Sequence, residues 1–356
     1  MKVTFASYDT VMLRHGGPKT QILQTMTHLQ KRGIEVTLMD MWDRQHGWPD
    51  CDLFHLFASN LGVYDLARYL ASHALAYVVS PIFFTRRPPA IIRTVRMAQK
   101  ITGRVGRGVW SDYGFSADIC RWARHCLPNS TEEHDLLVKG LGIPPEKVTV
   151  VPNGVEERFL NADPELFHQE YGIKDFILNV GHIGVARKNT LSLIRALSQI
   201  DHPAVIVGRI SPSEETDQCL KEARKNDNLL IIPGLDHDSP LLASAYAASR
   251  VFVLPALYET PGIAALEAGL AGTRVVITPH GGTRDYFQKM AIYVDPRSVA
   301  SIRNGIKTAL GLERDNRLKE HIQKHYLWET VAEKTEETYR RVLSSPGSPT
   351  PQDIRR

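Results

Sequence analysis

Short apolar runs alternate with amphipathic stretches along most of the chain. Between the first two runs, Ile22, Met26 and Leu29 recur at helical spacing until Gly33 ends the pattern. The runs of the first half that we predict to be strands are 3–8, 34–39, 53–57, 76–79 and 148–151. Strands that alternate with helices in this way indicate a parallel, doubly wound sheet.

The second half repeats the pattern with runs that are apolar throughout, as expected for strands covered on both faces of a sheet. These runs are 176–180, 204–207, 229–232, 251–254 and 275–277. The polar stretch 156–170 separates the two sets. We therefore predict two Rossmann-like α/β domains, 1–160 and 161–327, then a helix over 328–343 that returns to the first domain and a disordered tail over 344–356. The carboxyl ends of the strands of both domains would face a central cleft, where ligands bind.

Composition excludes several classes of protein. With 43% hydrophobic and 23% charged residues, the 356-residue chain is neither disordered nor collagen-like. Its four cysteines include no C-x-x-C pair, so we predict no zinc or dithiol site. We find no signal peptide and no run of about 20 apolar residues. A cytoplasmic protein that lies at most on the inner surface of a membrane is expected.

The net charge of +4 becomes informative once it is located. Residues 1–160 carry 19 basic and 15 acidic side chains, whereas 161–356 carry 24 of each.

No acidic residue occurs from 86 to 111, where the basic residues are Arg86, Arg87, Arg93, Arg96, Lys100, Arg104 and Arg107. The last five follow helical spacing. Residues 86–107 therefore predict a basic helix face for an anionic membrane or a phosphorylated lipid acceptor. The alternatives are a solvated face paired with acids elsewhere and a mobile loop. Nucleic acid is not predicted as a partner, since no aromatic residues are interleaved for base stacking.

Two carboxylates follow the strand predicted at 251–254. Glu259 lies in the loop, and Glu267 lies eight residues later on a helix whose first turn Pro261 can occupy. Eight helical residues would separate the carboxylates by about 12 Å, too far to share a proton or a metal ion. They suit hydroxyl groups at the two ends of an extended ligand, such as a ribose and a sugar joined by a diphosphate. The alternative is that both are acids stabilised by a helix dipole, although Glu267 among alanine and leucine residues needs a partner.

A second motif follows the strand predicted at 176–180. Gly181 begins a glycine-containing turn, and Arg187 and Lys188 precede a predicted helix over 191–197. Backbone N–H groups, a helix start and a cationic side chain together suit a phosphate dianion. The alternative is an ordinary surface Arg-Lys pair.

Together these motifs resemble the retaining GT-B glycosyltransferases of family 4, also termed group 1, which use nucleotide-sugar donors. The segments that carry the resemblance are Gly16-Gly17, Pro128-Asn129-Ser130, Pro152-Asn153-Gly154, Gly181 with Lys188, Glu259 with Glu267, and Gly281-Gly282. They span nearly the whole chain in the order found in that family. The resemblance implies the GT-B fold, in which two Rossmann-like domains face a central cleft.

The resemblance also implies a role for each motif. Glu267 would bind the ribose hydroxyls, Glu259 would contact the donor sugar, and Lys188 with Arg187 would stabilise the leaving diphosphate. The other residues expected to line the nucleotide sugar are Gly16, Gly17, Gly181, His182, Gly262, Ile263 and Ala264. Transfer would proceed with retention by front-face attack, without a metal or cofactor. The partners implied are a nucleotide-sugar donor and a glycan or lipid-linked acceptor.

Three positions depart from the family pattern. His182 stands where arginine is usual, the strand at 76–79 ends in Ser80-Pro81 without the usual histidine, and Asp285 replaces a glutamate. Two Asp-x-Asp matches, at 50–52 and 236–238, suggest the metal motif of the other major glycosyltransferase fold. The first precedes a strand and the second lies in a polar loop, so turn or helix-capping roles are favoured.

Other functions stay open on the same scaffold. A nucleotide-sugar epimerase or a phosphorylase would use the same donor site, and His182 fits a sugar-nucleotide-binding protein that has lost catalysis. An NAD-dependent dehydrogenase is disfavoured because neither half contains G-x-G-x-x-G followed by an acid. The sequence leaves the base, the sugar and the acceptor open.

Overall fold

A computed structural model describes residues 1–13, 16–40, 48–105 and 111–345, and of 100–105 the backbone alone. The chain divides into two compact units, Met1–Gly154 with Trp328–Arg356 and Val155–Leu327, termed here the first and the second unit. The division lies before the predicted boundary near residue 160. The polar stretch 156–170 is part of the second unit, because it contains Phe159 and Phe167, which are fully buried in that unit's core.

The first unit is built on a parallel sheet. Over the described residues its strand order is β2-β1-β3-β4-β5. The strands are β1 (Lys2–Ser7), β2 (Glu35–Leu38), β3 (Leu53–Phe57), β4 (Tyr77–Ser80) and β5 (His125–Cys126). The helices are α1 (Gly17–Lys31), α2 (Leu61–Ser72), α3 (Pro89–Val105), α4 (Asp112–Trp122), α5 (Thr131–Asp135), a π-helix (Leu136–Leu141), a 3-10 helix (Pro145–Lys147) and, late in the chain, α14 (Trp328–Ser344).

The late helix α14 completes the first unit. Trp328 is buried and packs on Gly154, where an added Cβ would lie 2.6 Å from the indole ring. Farther along the helix, the hydroxyl of Tyr339 lies 2.5 Å from Nδ1 of the buried His55, whose Nε2 lies 2.9 Å from the hydroxyl of Ser80. A segment that follows the second unit therefore supplies part of the core of the first. Residues 346–356 of the predicted tail lie outside the described residues.

The second unit has its own parallel sheet, with strand order β11-β10-β9-β6-β7-β8 in the described part of the chain. The strands are β6 (Phe176–Val180), β7 (Ala204–Val207), β8 (Leu229–Ile232), β9 (Ser249–Leu254), β10 (Arg274–Ile277) and β11 (Ile292–Tyr293). The helices are α6 (Glu165–Tyr171), α7 (Thr190–Leu197), α8 (Glu214–Ala223), α9 (Pro240–Ala248), α10 (Ile263–Leu270), α11 (Thr283–Phe287), α12 (Val299–Leu310) and α13 (Arg317–His325), with 3-10 helices at Glu157–Phe159 and Ala186–Lys188. Two apolar clusters, one on each face of the sheet, form the core.

Two of the predicted runs differ from the structure in pairing or in burial. The run 148–151 is not a strand, because Val148 makes a single isolated bridge to Cys126 at the end of β5. Residues 229–231 are only half-buried, since β8 lies at the edge of the sheet and is not covered on both sides.

Helix α3 contains residues 89–105 of the basic segment predicted over 86–107, and Arg86 and Arg87 precede it. Arg93 donates through Nη2 to the main-chain oxygen of Lys139 at 2.7 Å, and Arg96 donates to that of Leu141, so both bind the last carbonyls of the π-helix. Arg96 is consequently half-buried, in contrast to the exposed position predicted for it, whereas Arg86, Arg87 and Arg93 are exposed. The side chains of Lys100 and Arg104, and all of Arg107, lie outside the described residues.

None of the described helices combines the length and the apolar composition that crossing a bilayer requires.

Candidate nucleotide-sugar site

The predicted site residues of the second unit surround the point where its strand order reverses. From β6 the chain continues through β7 and β8 towards one edge, whereas β9, β10 and β11 continue towards the other. The loops that follow the neighbouring strands β6 and β9 therefore leave the same edge of the sheet side by side. In open α/β sheets such a reversal forms the crevice in which ligands bind.

Backbone and amide contacts join these two loops. The N–H of Leu257 donates to the carbonyl of Arg187 at 2.9 Å. Asn189, in the left-handed conformation with φ 58°, donates through Nδ2 to the carbonyls of Pro255 at 2.9 Å and Pro296 at 2.6 Å. The loop after β6 is therefore held in a fixed position beside the loop after β9.

Two cations converge on the buried carboxylate of Glu259. Nζ of Lys188 lies 2.6 Å from Oε1, and Nη1 of Arg187 lies 3.1 Å from the same oxygen. Arg187 also donates to the carbonyl of Tyr258 at 3.0 Å. The carboxylate is 7% exposed, against 20% for Lys188 and 35% for Arg187, so the cations lie on the solvent side of the cluster. Two positive charges against one negative charge leave one in excess, which suits a further anion.

A close backbone contact fixes the main chain of Glu259. Its N–H donates to the carbonyl of His280 at 3.0 Å. Next to His280, Gly281 has φ +83°, and an added Cβ would lie 2.5 Å from the carbonyl oxygen of Glu259. The predicted Gly281-Gly282 turn thus allows the loop after β10 to approach the loop that carries Glu259.

The start of helix α10 lies beside the same carboxylate. Gly262 has φ +86°, and an added Cβ would lie 3.5 Å from Cβ of Glu259. The helix begins at Ile263 and continues through Ala264, so Pro261 precedes the first turn instead of occupying it. In the described part of the chain no side chain caps this helix start. Backbone N–H groups and the positive end of the helix dipole are therefore presented next to the cationic cluster.

Glu267 is buried on α10 and already has two partners. The hydroxyl of Tyr246 donates to Oε2 at 2.7 Å, and Nε2 of His237 lies 2.9 Å from Oε1. Burial, followed by the adjacent carboxylate, raises the pKa of Tyr246 well above its usual value, so its hydroxyl stays a donor. The sequence predicted that a carboxylate among alanine and leucine residues needs a polar partner. The structure supplies two, Tyr246 and His237.

The surroundings of His237 include the second Asp-x-Asp match. Ligand atoms of Glu156, His237 and Asp238 lie within 4.8 Å of one another, a spacing suited to a metal ion. A guanidinium already lies there, since Nη2 of Arg158 is 3.3 Å from Nδ1 of His237 and 3.4 Å from Oε1 of Glu156. This residue set fits a cation-stabilised acidic cluster better than a metal site, because a metal would face the guanidinium at close range.

The first Asp-x-Asp match has structural partners. Asp52 accepts the backbone N–H of Lys2 at 2.7 Å, and Asp50 lies 2.9 Å from Nζ of the same lysine. Both acids therefore join the segment before β3 to the start of β1.

The remaining predicted residues lie in two places. Gly181 directly follows β6 and donates to the carbonyl of Val207 at 2.9 Å, and the half-buried His182 comes next. Gly16, with φ 156°, precedes helix α1, and Gly17 is the first residue of that helix, so both belong to the first unit. The neighbouring Arg14 and His15 lie outside the described residues.

The sequence did not indicate three residues that organise this site. In the sequence His237 stands out only as the centre of an Asp-x-Asp match, and no motif marks Tyr246 or Asn189. Each acts on a residue distant along the chain, Glu267 for the first two and Pro255 and Pro296 for the third. A hydrophobic pattern contains no signal for such contacts.

Comparison with known proteins finds a family model that matches most of the second unit. Residues 165–325 match the family model of glycosyl transferases group 1. An uncharacterized glycosyltransferase of Methanocaldococcus jannaschii is 29% identical over 223 residues, 57% of this chain and 56% of that protein. The UDP-Gal:alpha-D-GlcNAc-diphosphoundecaprenol alpha-1,3-galactosyltransferase of Escherichia coli is 31% identical over 176 residues, 44% of this chain and 42% of that protein.

The fold of the whole chain has relatives among solved structures. Sucrose-phosphate synthase from Thermosynechococcus elongatus superimposes with a TM-score of 0.74 at 16% identity, covering 97% of this chain and all of that one. This likeness shows that the two parallel-sheet units have the GT-B fold. In sequence, by contrast, the chain spans about half the length of the curated relatives that it matches.

Proposed function

We propose that the chain transfers a sugar from a nucleoside-diphosphate sugar to an acceptor, because residues 165–325 match the family model of glycosyl transferases group 1. The observation that carries the proposal is the cluster of Lys188, Arg187 and Glu259 at the strand-order reversal, beside the uncapped start of α10. A leaving diphosphate needs cationic and N–H groups fixed in advance, and this cluster supplies both.

In the proposed reaction the donor diphosphate lies against Lys188 and Arg187, and the ribose hydroxyls donate to Glu267. The bond between the anomeric carbon and the β-phosphate oxygen breaks, and a bond to the acceptor oxygen forms on the same face of the sugar. The acceptor proton moves to the departing phosphate. This retaining route requires no metal, because the two side-chain cations and the helix dipole stabilise the developing charge.

Turnover with a panel of UDP-, GDP- and ADP-sugars tests the proposal. Release of free nucleotide is measured for the wild type, Lys188→Ala and the control Lys174→Ala, whose exposed amino group pairs with Glu165 at 2.9 Å. We expect Lys188→Ala to lower turnover by about 10²-fold or more and Lys174→Ala to leave it unchanged. Equal turnover of all three proteins would contradict the assignment of Lys188.

The same reactions, followed by NMR, separate the alternative activities. Retention predicts a product with the anomeric configuration of the donor, and addition of EDTA should leave the rate unchanged. A donor epimerised without acceptor would indicate an epimerase, and donor binding without turnover would indicate a protein that has lost catalysis.

For the acceptor, we propose a lipid-linked or cell-envelope glycan reached at an anionic membrane surface through residues 86–107. Arg86 and Arg87 are exposed at the start of this segment, and Ile91 and Met97 on α3 are 43% and 60% exposed. Adjacent cations and apolar side chains suit the interface of an anionic bilayer. The printed name of the Escherichia coli relative contains a diphosphoundecaprenol, which is a lipid-linked acceptor.

Sedimentation with vesicles tests the membrane contact. The wild type should bind vesicles that contain phosphatidylglycerol and not vesicles of phosphatidylcholine alone. Joint substitution of Arg86 and Arg87 by alanine should weaken this binding, whereas joint substitution of the exposed Lys307 and Lys324 in the second unit should not. Equal loss with both pairs would indicate a general charge effect and contradict a specific surface.

A further inference from the structure

The imidazole of His237 lies over the carboxylate of Glu267. The two side chains are in contact, with Nε2 and Oε1 2.9 Å apart, yet His237 is 41% exposed and Glu267 only 5%. His237 belongs to the loop between β8 and α9, an element separate from the helix that carries Glu267. A ligand that approaches Glu267 from solvent meets the imidazole first.

The charges around His237 favour an imidazolium. Its Nδ1 lies 3.5 Å from carboxylate oxygens of both Glu156 and Asp238. With Glu267 these make three carboxylates, against the single guanidinium of Arg158, whose Nη2 lies 3.3 Å from Nδ1 and also donates to the carbonyl of His237. The hydrogen bond that His237 donates to Glu267, more than any other cause, raises the pKa of His237. An imidazolium can donate to Glu267 and face the other two carboxylates at once, which a neutral ring cannot do.

Both oxygens of Glu267 therefore accept a hydrogen bond before any ligand arrives. Oε2 accepts from the hydroxyl of Tyr246 at 2.7 Å, and that donor is fully buried on α9. The contact with His237 is the one that lies towards solvent. Ribose hydroxyls are neutral donors, and they form weaker bonds to a carboxylate than an imidazolium does. Protonated His237 thus competes with a ribose for Oε1, whereas a neutral imidazole competes much less.

We propose that His237 is a further nucleotide-recognition residue, which covers Glu267 in its protonated form and gives the ribose access to that carboxylate when it is neutral or displaced. This inference rests on the proposed function, because it takes Glu267 as the ribose-binding group. It predicts that the contribution of the ribose hydroxyls to nucleotide affinity increases with pH, because binding that displaces the imidazolium releases its proton.

The test compares each nucleoside diphosphate with its 2′,3′-dideoxy analogue. UDP, GDP and ADP are titrated into the full chain, and the one that binds best is measured beside its analogue at several values between about pH 5.5 and about pH 8.5. Both ligands carry the same titrating phosphate. The dissociation constant of the analogue divided by that of the nucleotide therefore isolates the ribose contribution. For the wild type, this ratio should rise by about tenfold across the range. The rise cannot exceed about tenfold for each pH unit, since a single proton is released on binding.

Variants of His237 supply the decisive readout. In His237→Gln, which keeps a neutral donor, and in His237→Ala, which removes the donor, the ratio should be independent of pH and remain near the wild-type value at high pH. The control is His202→Gln, at the amino end of β7 and 3.9 Å from Asp175, which should keep the wild-type profile.

The outcomes separate this inference from the proposed function. A pH-dependent ratio that persists in both His237 variants would overturn the role of His237, while nucleotide binding itself would still support the proposed function. A wild-type ratio near one at every pH would show that Glu267 does not bind the ribose, and would also overturn the inference. Failure of all three nucleotides to bind any of these proteins would remove the proposed function and this inference with it.

Discussion

At the scale of single residues, the site depends on backbone contacts as much as on charged side chains. Lys188 and Arg187 both pair with the carboxylate of Glu259. The main chain of Glu259 is fixed by its contacts with His280 and Gly281, and this positions the carboxylate for both pairs. A substitution that leaves every charge in place can therefore still disturb the cluster.

Gly281→Ala tests this dependence. The new Cβ would lie 2.5 Å from the carbonyl oxygen of Glu259 at φ +83°, so both the backbone strain and the steric clash are unfavourable. Gly172→Ala is the matched control, because it has φ +69° with nothing within 4 Å of the added Cβ. In chemical denaturation we expect a loss of about 1 kcal/mol for the control and about 3 kcal/mol or more for Gly281→Ala. Equal losses would contradict the steric argument.

A second residue-scale prediction concerns Glu133 of α5. Burial raises the pKa of this carboxyl group from 4.5 to about 7, although the N–H groups of Phe83 and Asn129 donate to it. Between these two values the folded protein binds more protons than the unfolded chain, so the free energy of unfolding falls as the pH rises. The loss attributable to this group is on the order of 3 kcal/mol.

Urea denaturation at several pH values measures this effect. Glu133→Gln removes the titrating group and should flatten the decline between about pH 4.5 and about pH 7. Glu132→Gln, an exposed neighbour on the same helix, should keep it. An unchanged slope in Glu133→Gln would mean that other groups cause the decline.

At the scale of elements, a buried polar pair contributes to the contact between α14 and the first sheet. Tyr339→Phe removes the hydroxyl that lies 2.5 Å from Nδ1 of His55 and leaves that buried nitrogen without this partner. Burial lowers the pKa of His55 to about 3, so the ring cannot compensate by becoming charged near neutral pH. We expect a loss of about 1–3 kcal/mol in the free energy of unfolding at neutral pH.

The control for this variant is Tyr293→Phe. In the described structure the buried hydroxyl of Tyr293 has no hydrogen-bond partner, so its removal should be neutral or stabilising. A similar loss for both variants would mean that removal of a buried phenol hydroxyl, and not loss of the pair with His55, determines the result.

The bounds of an element were predictable where an apolar run of four or more residues marks it. Strands β6, β7 and β8 have the predicted bounds, because each is an apolar run that ends in a polar loop or a proline. The strands β5 and β11 have two residues each, too few for any periodicity. The run 148–151 has a strand-like composition, yet only Val148 reaches a partner, because pairing depends on where β5 ends.

The site was predictable to the extent that its motifs are local. Arg187 and Lys188 follow β6, and Glu259 follows β9, so the parallel order of these strands is enough to expect them side by side. The partners of Glu267 depend instead on a turn after β8 and on the face that α9 presents. Neither is encoded in the pattern around Glu267 itself.

At the scale of the whole molecule, the two units differ in how the chain builds them. The second unit is a single continuous segment, Val155–Leu327, with its own core, whereas the first requires two segments. The cationic cluster of Arg187, Lys188 and Glu259 belongs to this continuous segment, and so does Glu267.

Expression of the two segments separately tests this organisation. Residues 155–327 should give a cooperative thermal transition and bind a nucleoside diphosphate, because the core and the cluster are complete. Residues 1–154 should not fold, since the surfaces that Trp328 and Tyr339 cover would be exposed. A stable fragment 1–154 with dispersed NMR signals would show that α14 is dispensable.

The return of α14 to the first unit also has a consequence for synthesis on the ribosome. The residues of β1 to β5 emerge first, but the side chains that close their core, at Trp328 and Tyr339, emerge only after the entire second unit. The usual order, in which N-terminal domains finish folding first, is therefore reversed. The half of the molecule that is made first stays incomplete for the longest time, and it is the half most exposed to chaperones and proteases during translation.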